Sequence, residues 1–332
     1  MEMNQTFIDV SRSQTSLSLM VRQIRYEANG INSYEFVDPE GKELPPFTAG
    51  AHIDIHLPNG TIRQYSVSNS PTERHRYVIA VLRDEKGRGG SKALHDTLHV
   101  QDMVTVSLPR NNFELVPEAK KVVLLAGGIG MTPLKSMAHA LEASGVPFEM
   151  HYCARNASCV AFRDELDTQW EHGKLHFHFD HGDPANGLDI PELLKSPGED
   201  THLFYCGPAG FMKACGEAAS HWPASTVHFE HFKAPEPDKT TPQLAPGAFM
   251  VKIASTGAMI EVPAERSISD VLEEAGVHIE TSCQAGLCAT CKIRYLEGEV
   301  DHRDYILSDE EHGQFLTACV SRATSPVLVL DL

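Results

Sequence analysis

The 332-residue chain has no apolar run approaching the length of a membrane span, which excludes a helical transmembrane segment. Positive charge is in deficit: 28 Lys and Arg stand against 45 Asp and Glu, a net charge of −17 with His neutral. Such a surface repels phosphate backbones, so nucleic acid and anionic membranes are poor partners, while a basic or mixed-charge protein patch remains a possible one. The opening stretch, MEMNQTFIDVSRSQTS, lacks the apolar core of a secretory leader, and the expectation is a cytoplasmic protein. In a reducing compartment the eight cysteines do not suggest a disulfide framework. No internal repeat is present. No paired carboxylates or Ser–His–Asp arrangement can be argued, so nothing points to hydrolytic acid–base chemistry.

The length exceeds what one core supports and implies a multidomain chain. Residues 1–117 read as alternating strands, HIDIHL (52–57), RQYSVS (63–68), RYVIAVLR (76–83) and MVTVSLP (103–109), separated by turns such as PNG (58–60). That spacing predicts an antiparallel β-barrel or sandwich. From 118 to 233 strands and helices alternate: KKVVLLAGG (120–128), PLKSMAHALEAS (133–144), FEMHYCAR (148–155), RDELDTQWE (163–171) as helix, KLHFHFD (174–180), THLFYCGP (201–208), AGFMKACGEAAS (209–220). Alternation of this kind implies an α/β domain with a parallel sheet. APEPDKTTPQLAPG (234–247) has four prolines and reads as a semi-rigid linker. In residues 248–332, two strand-like runs precede a helix, SISDVLEEAG, which starts with a capping-box pattern. A cysteine loop and two further strand-like stretches follow.

That loop, CQAGLCATC, places Cys283, Cys288 and Cys291 within nine residues, and Cys319 follows after 27 more. The pattern C-x4-C-x2-C…C is that of plant-type 2Fe–2S ligation. Two irons sharing two sulfides need four thiolates, three of which one short loop can supply. The small residues between them, Ala285, Gly286, Ala289 and Thr290, let backbone N–H groups turn toward the sulfurs. A structural zinc site and four inert thiols are the competing readings; zinc favours paired C-x2-C knuckles, and here there is one.

Such a cluster moves single electrons, so the feeding chemistry matters. AGGIGMTP (126–133) follows an apolar strand and opens a helix, as a pyrophosphate-binding turn does; tight packing alone is the plainer alternative. A second such turn, YCGPAGFM (205–212), supports a nicotinamide dinucleotide site at the carboxyl edge of the sheet. Nicotinamide gives two electrons as hydride, and a flavin must stand between it and a one-electron cluster. RQYSVSN (63–69) offers a strand edge for the flavin, and GRGGS (87–91) offers N–H groups and Arg88 for its phosphate; an ordinary strand and a flexible hairpin tip are the plainer readings.

R-x-Y-S, GRGGS, AGGIG-x-TP, CGP, F-E-x-F and a C-terminal C-x4-C-x2-C module, in that order, resemble the phthalate dioxygenase reductase family. The likeness extends to HWPASTVHFEHF (221–232), EVDHRD (299–304) and the terminal VLDL. The resemblance implies an FMN-binding β-barrel (1–117), an NAD-binding α/β domain (118–233), a linker (234–247) and a plant-type ferredoxin domain (248–332). It implies that Arg63, Gln64, Tyr65 and Ser66 lie along the flavin, that Ala80, Val81 and Leu82 offer strand-edge backbone, and that Arg88, Gly89, Gly90 and Ser91 hold the phosphate. Gly127, Gly128, Gly130, Thr132 and Pro133 would form the pyrophosphate turn. Cys206, Gly207 and Pro208 would lie by the nicotinamide, and Phe232 would cover the flavin ring. Ser66, Thr132, Cys206 and Phe232 are thus the expected catalytic positions, and Cys283, Cys288, Cys291 and Cys319 the metal ligands. Arg155 would lie near the adenosine ribose, with NADH preferred over NADPH; a solvated surface charge is the plainer alternative. Gln64 and Leu82 depart from the family's usual residues. The implied activity is an NADH-dependent oxidoreductase, the reductase of a Rieske-type oxygenase acting on a phthalate-like aromatic. A demethylase, a carnitine oxygenase or a cytochrome is the alternative acceptor.

HGKLHFHFDH (172–181) is dense in histidine. Alternating His on one strand face could bind a metal, but no partner ligand is fixed by spacing, and a solvated or partly buried strand face is the expectation.

Overall fold

A computed structural model describes residues 16–57, 60–235 and 247–332. The opening stretch, Pro58 and Asn59 of the expected PNG turn, and most of the Pro-rich linker lie outside the described residues.

The first unit is a six-stranded antiparallel sheet: β1 (Ser16–Ala28), β2 (Ile31–Val37), β3 (His52–His56), β4 (Ile62–Ser66), β5 (Tyr77–Leu82) and β6 (Met103–Ser107), in the order β4-β3-β6-β1-β2-β5. The alternating patterns place Ile53, Ile55, Val67, Ile79 and Val106 in one buried core. The sheet curls until its two edge strands, β4 and β5, approach without pairing. Helix α1 (Gly90–Thr97) corrects the strands-only reading of this unit, since GRGGS opens a helix rather than tipping a hairpin.

The second unit holds β7 (Lys121–Gly127), α2 (Met131–Ser144), β8 (Phe148–Ala154), α3 (Arg163–Leu166), β9 (Gly173–Phe179), α4 (Ile190–Leu193), β10 (Thr201–Cys206), α5 (Ala209–Ala218) and β11 (Val227–Glu230). Its parallel sheet runs β11-β10-β7-β8-β9. The winding therefore reverses between β7 and β10, whose carboxyl ends flank the crevice where such sheets bind ligands. β7 reads as an unbroken apolar run because both its faces are covered. Helix α3 stops at Leu166, four residues long, rather than running to 171. Trp170 instead turns back, donating to the Leu166 carbonyl and packing edge-on to Phe148. Ile31, Val78 and Ala80 of the first unit share one core with Met131 and Leu134 of the second, which joins the two firmly.

The third unit contains β12 (Phe249–Ile253), β13 (Met259–Val262), α6 (Ile268–Glu274), β14 (Lys292–Glu297), β15 (Val300–Asp301), α7 (Asp309–His312), β16 (Phe315–Thr317), β17 (Arg322–Ala323) and β18 (Val327–Leu330). Its main sheet is ordered β13-β12-β18-β14-β16, around a small core of its own. Ser267 and Asp270 form the expected capping box at α6. Three polar contacts seat the cysteine loop on the barrel: Arg88 donates to the Cys283 carbonyl (3.0 Å), Asn112 to the Cys288 carbonyl (3.3 Å) and Ser282 to Asp54 (2.7 Å). Among the described residues no helix is long and apolar enough to cross a membrane.

Candidate flavin, nucleotide and iron–sulfur site

The four clustered cysteines meet as the spacing demands. Cys283 and Cys288 bond each other through their side chains, as do Cys291 and Cys319. Two close thiols cannot both hold their protons equally. The bond from Cys283 lowers Cys288, and Cys319 lowers Cys291, while Cys283 and Cys319 are raised. Backbone N–H groups point at the sulfurs: Leu287 donates to Cys283 Sγ (3.3 Å), and Gly286 bonds Cys319. The Thr290 hydroxyl lies 3.2 Å from Cys288 Sγ. Two sulfur pairs lined by N–H donors fit an iron pair that takes two thiolates per iron.

Beside this loop opens a cavity of about 1200 Å³, walled by all three units. Arg63, Gln64, Tyr65 and Ser66 line it from β4, and Ala80 and Leu82 from β5. Arg88, Gly90 and Ser91 line it from the start of α1, Thr132 from α2, Phe232 from the segment after β11, and Cys283 from the cluster loop. Val81 faces the barrel core, and its carbonyl bonds His95 Nε2 at 2.9 Å. Gly89 caps α1 in the left-handed conformation. A Cβ at Gly90 would lie 2.3 Å from Arg63 Nε, so the Arg63 side chain packs directly over this glycine. Arg63 and Arg88 stand close enough to repel: burial lowers the Arg63 pKa first, and the Arg88 charge adds to that. Two neighbouring cations at a helix N-terminus make an anion site.

Polar groups left without partners test whether a flavin fits. His52, the Gln64 amide nitrogen and Glu230 Oε2 all border the cavity, buried and unbonded. A ring edged with carbonyl and N–H groups would supply what they lack. Phe232 is 39% exposed, an aromatic face open to a planar ligand. The residues present fit a flavin mononucleotide.

The nucleotide turns adjoin this cavity. Gly127, Gly128, Gly130, Thr132 and Pro133 connect β7 to α2, and the Thr132 hydroxyl donates to the Ile129 carbonyl (3.1 Å). A Cβ on Gly130 would lie 2.2 Å from the Cys206 carbonyl, so the two turns touch only because that position is glycine. Cys206 itself is fully buried, which raises its thiol, and it does not line the cavity; Gly207 and Pro208 follow it into α5. Arg155 is exposed just past β8 and outside the cavity wall.

Glu230 was missed among the expected site residues. It ends β11 in register with Cys206 and bonds the Ser66 side chain. Burial pushes its carboxyl up to about 8, against the lowering effect of Ser66. The signal lay in F-E-H-F itself, where an acid is flanked by aromatics at a strand end.

A barrel with an anion pocket at its open edge, a parallel sheet with a nucleotide crevice and a four-thiolate loop define an electron-transfer oxidoreductase that joins pyridine nucleotide, flavin and iron–sulfur cluster. Residues 251–324 match the 2Fe-2S iron-sulfur cluster binding domain, and residues 124–217 the oxidoreductase NAD-binding domain. The chain is 54% identical to the reductase subunit of tert-butanol monooxygenase / tert-amyl alcohol desaturase from Aquincola tertiaricarbonis, over 96% of this chain and 97% of that one. It is 44% identical to phthalate dioxygenase reductase from Burkholderia cepacia, over 92% and 94%. A solved structure of phthalate dioxygenase reductase, described as modular for electron transfer from pyridine nucleotides to 2Fe–2S, superposes with a TM-score of 0.72 at 43% identity, over 96% of this chain and 98% of that one. The chain belongs to the phthalate dioxygenase reductase family. It is an NADH-dependent oxidoreductase with FMN and a 2Fe–2S cluster as cofactors, the reductase component of an oxygenase system.

Proposed function

We propose that the three-walled cavity is where FMN binds and where reducing equivalents from NADH pass to the cluster. The observation that carries this reading is that one cavity is bordered by both barrel edge strands, by Thr132 and Phe232, and by Cys283. FMN supplies the exchange between a two-electron donor and a one-electron cluster. The chain supplies position. Arg63, Gln64, Tyr65 and Ser66 flank the ring, and Ala80, Val81 and Leu82 contribute backbone from the facing edge. Arg88, Gly89, Gly90 and Ser91 hold the phosphate at the α1 N-terminus, with Arg63 adding charge. Phe232 covers the ring and gives way to the nicotinamide.

Gly127, Gly128, Gly130, Thr132 and Pro133 seat the pyrophosphate. Cys206, Gly207 and Pro208 back the nicotinamide, and Arg155 reaches the adenosine ribose of NADH rather than NADPH. Glu230, protonated near neutrality, accepts from Ser66 and donates from its unpartnered Oε2 to the ring edge. Cys283, Cys288, Cys291 and Cys319 ligate the iron pair. The units divide as 1–117, 118–233 and 248–332, joined by the linker 234–247.

The acceptor in this reading is a Rieske-type oxygenase, in a cytoplasm that keeps thiols reduced and supplies NADH. The reductase does not touch the oxygenase's substrate, so a tertiary alcohol, as in the name of the 54% relative, stands beside a phthalate-like aromatic. The test mixes the holoprotein, NADH and a purified Rieske oxygenase, and follows reduction of the Rieske cluster by electron paramagnetic resonance. NADH-dependent reduction that Cys288→Ser abolishes is expected. A Rieske cluster that stays oxidised while a cytochrome is reduced overturns the partner. FMN retention unchanged in Arg63→Ala overturns the phosphate site.

A further inference from the structure

The central sheet carries a second group of ligating side chains. Glu149 and His151 alternate along β8, and on β9 His176 lies opposite His151 and His178 opposite Cys153. Helices α4 and α5 cover the same face of the sheet over β7, β10 and the start of β11. Glu149 Oε1 lies 3.3 Å from His176 Nε2 and 3.8 Å from His151 Nε2, and the three atoms all fall within 4.8 Å of one another. Tetrahedral zinc, with bonds of about 2.0–2.1 Å, holds its donors roughly 3.3 Å apart.

One atom in this group is unexplained by the protein alone. His151 is 5% exposed, and its Nε2 is buried without a hydrogen-bond partner. Its other nitrogen, Nδ1, lies 3.0 Å from His178 Nε2. A proton on Nδ1 in that bond leaves Nε2 with a free lone pair on the side of Glu149 and His176. Burial also keeps the His151 ring neutral, with its pKa at about 4, the form in which imidazole ligates. The His176 side chain is 43% exposed, which leaves room for water in a fourth position.

We propose that Glu149 Oε1, His151 Nε2 and His176 Nε2 bind a divalent transition cation of the zinc class, with His178 positioning His151. Two imidazoles and a carboxylate suit such an ion. None of these residues lines the flavin cavity, so the ion ties edge strand β9 to β8 and takes no part in electron transfer.

Zn²⁺ titrated calorimetrically into the holoprotein tests this, with iron content and the visible spectrum followed so that the cluster thiolates are not the receptor. One ion per chain and a rise in Tm are expected. His176→Ala, at an exposed edge position, should abolish binding while NADH-driven flavin reduction stays unchanged. Glu149→Gln and His178→Ala should each weaken binding about tenfold or more. A second group, His302, Asp304 and His312, lies in the third unit; His312→Ala should leave zinc binding intact. Absence of binding at micromolar Zn²⁺, binding retained in His176→Ala, or binding lost in His312→Ala would each overturn the proposal.

Discussion

The cysteine loop and the flavin cavity touch at Cys283, yet they are built in opposite ways. The loop is local: three of the four clustered cysteines fall within nine residues, and their spacing already points to a 2Fe–2S cluster. The cavity is assembled from β4, β5, the start of α1, the start of α2, the end of β11 and the loop itself. No single stretch of it is diagnostic. A site whose ligands must surround a small rigid group can be encoded in one turn. A site for a long planar cofactor with a charged tail needs walls from several elements, and only packing brings those together.

The comparison can be broken most sharply at Cys288. Cys288→Ser should take cluster reduction and delivery to an acceptor to background, while NADH still bleaches the flavin absorbance; loss of both activities would mean that the two sites are not separable. Next in size is Gly130→Ala. With its Cβ 2.2 Å from the Cys206 carbonyl, the substitution should push the two nucleotide turns apart. A destabilisation of about 1–3 kcal/mol is expected, with KM for NADH raised and FMN retained. Thermal unfolding and steady-state kinetics check both parts.

Glu230 gives a pH-dependent test of the cavity. Its folded pKa of about 8 lies above the ordinary 4.5, so its contribution to stability is complete below 4.5 and is lost as pH rises through 8. Glu230→Gln should flatten the decline of Tm over that window and remove the matching fall in the rate of flavin reduction. An unchanged slope would mean the carboxyl is solvated.

Smaller effects concern the seating of the third unit. Asn112→Ala removes the 3.3 Å bond to the Cys288 carbonyl and should slow flavin-to-cluster transfer more than it alters NADH oxidation by ferricyanide. Ser267→Ala removes the α6 cap and should cost about 1 kcal/mol of stability in the cluster-bearing unit alone.

Much of this was legible in the residues. Period-two runs marked the barrel strands, apolar runs closing on glycine marked the parallel sheet, and Ser267 with Asp270 marked a helix start that the structure retains. The errors have physical causes. RDELDTQWE has helical composition, but Trp170 packs edge-on to Phe148 and donates back to the Leu166 carbonyl, and α3 is one turn long. GRGGS reads as a loop because its glycines disfavour helix, yet Gly90 begins α1 with the Arg63 side chain packed over it. Glu230 escaped notice, and the histidines of 172–181 were read as a solvated or partly buried face, because their partners Ser66, Glu149 and His151 lie on other strands, at separations no motif records.

The clustering of four cysteines and the order of the three units followed from spacing and periodicity, because these express contacts between near neighbours in the chain; the flavin's place in the first unit came from the family resemblance. The shared cavity, the raised carboxyl at its wall and the seating of the cluster loop on Arg88, Asn112 and Asp54 did not. Those depend on burial and on long-range packing, which come into being only when the three sheets meet.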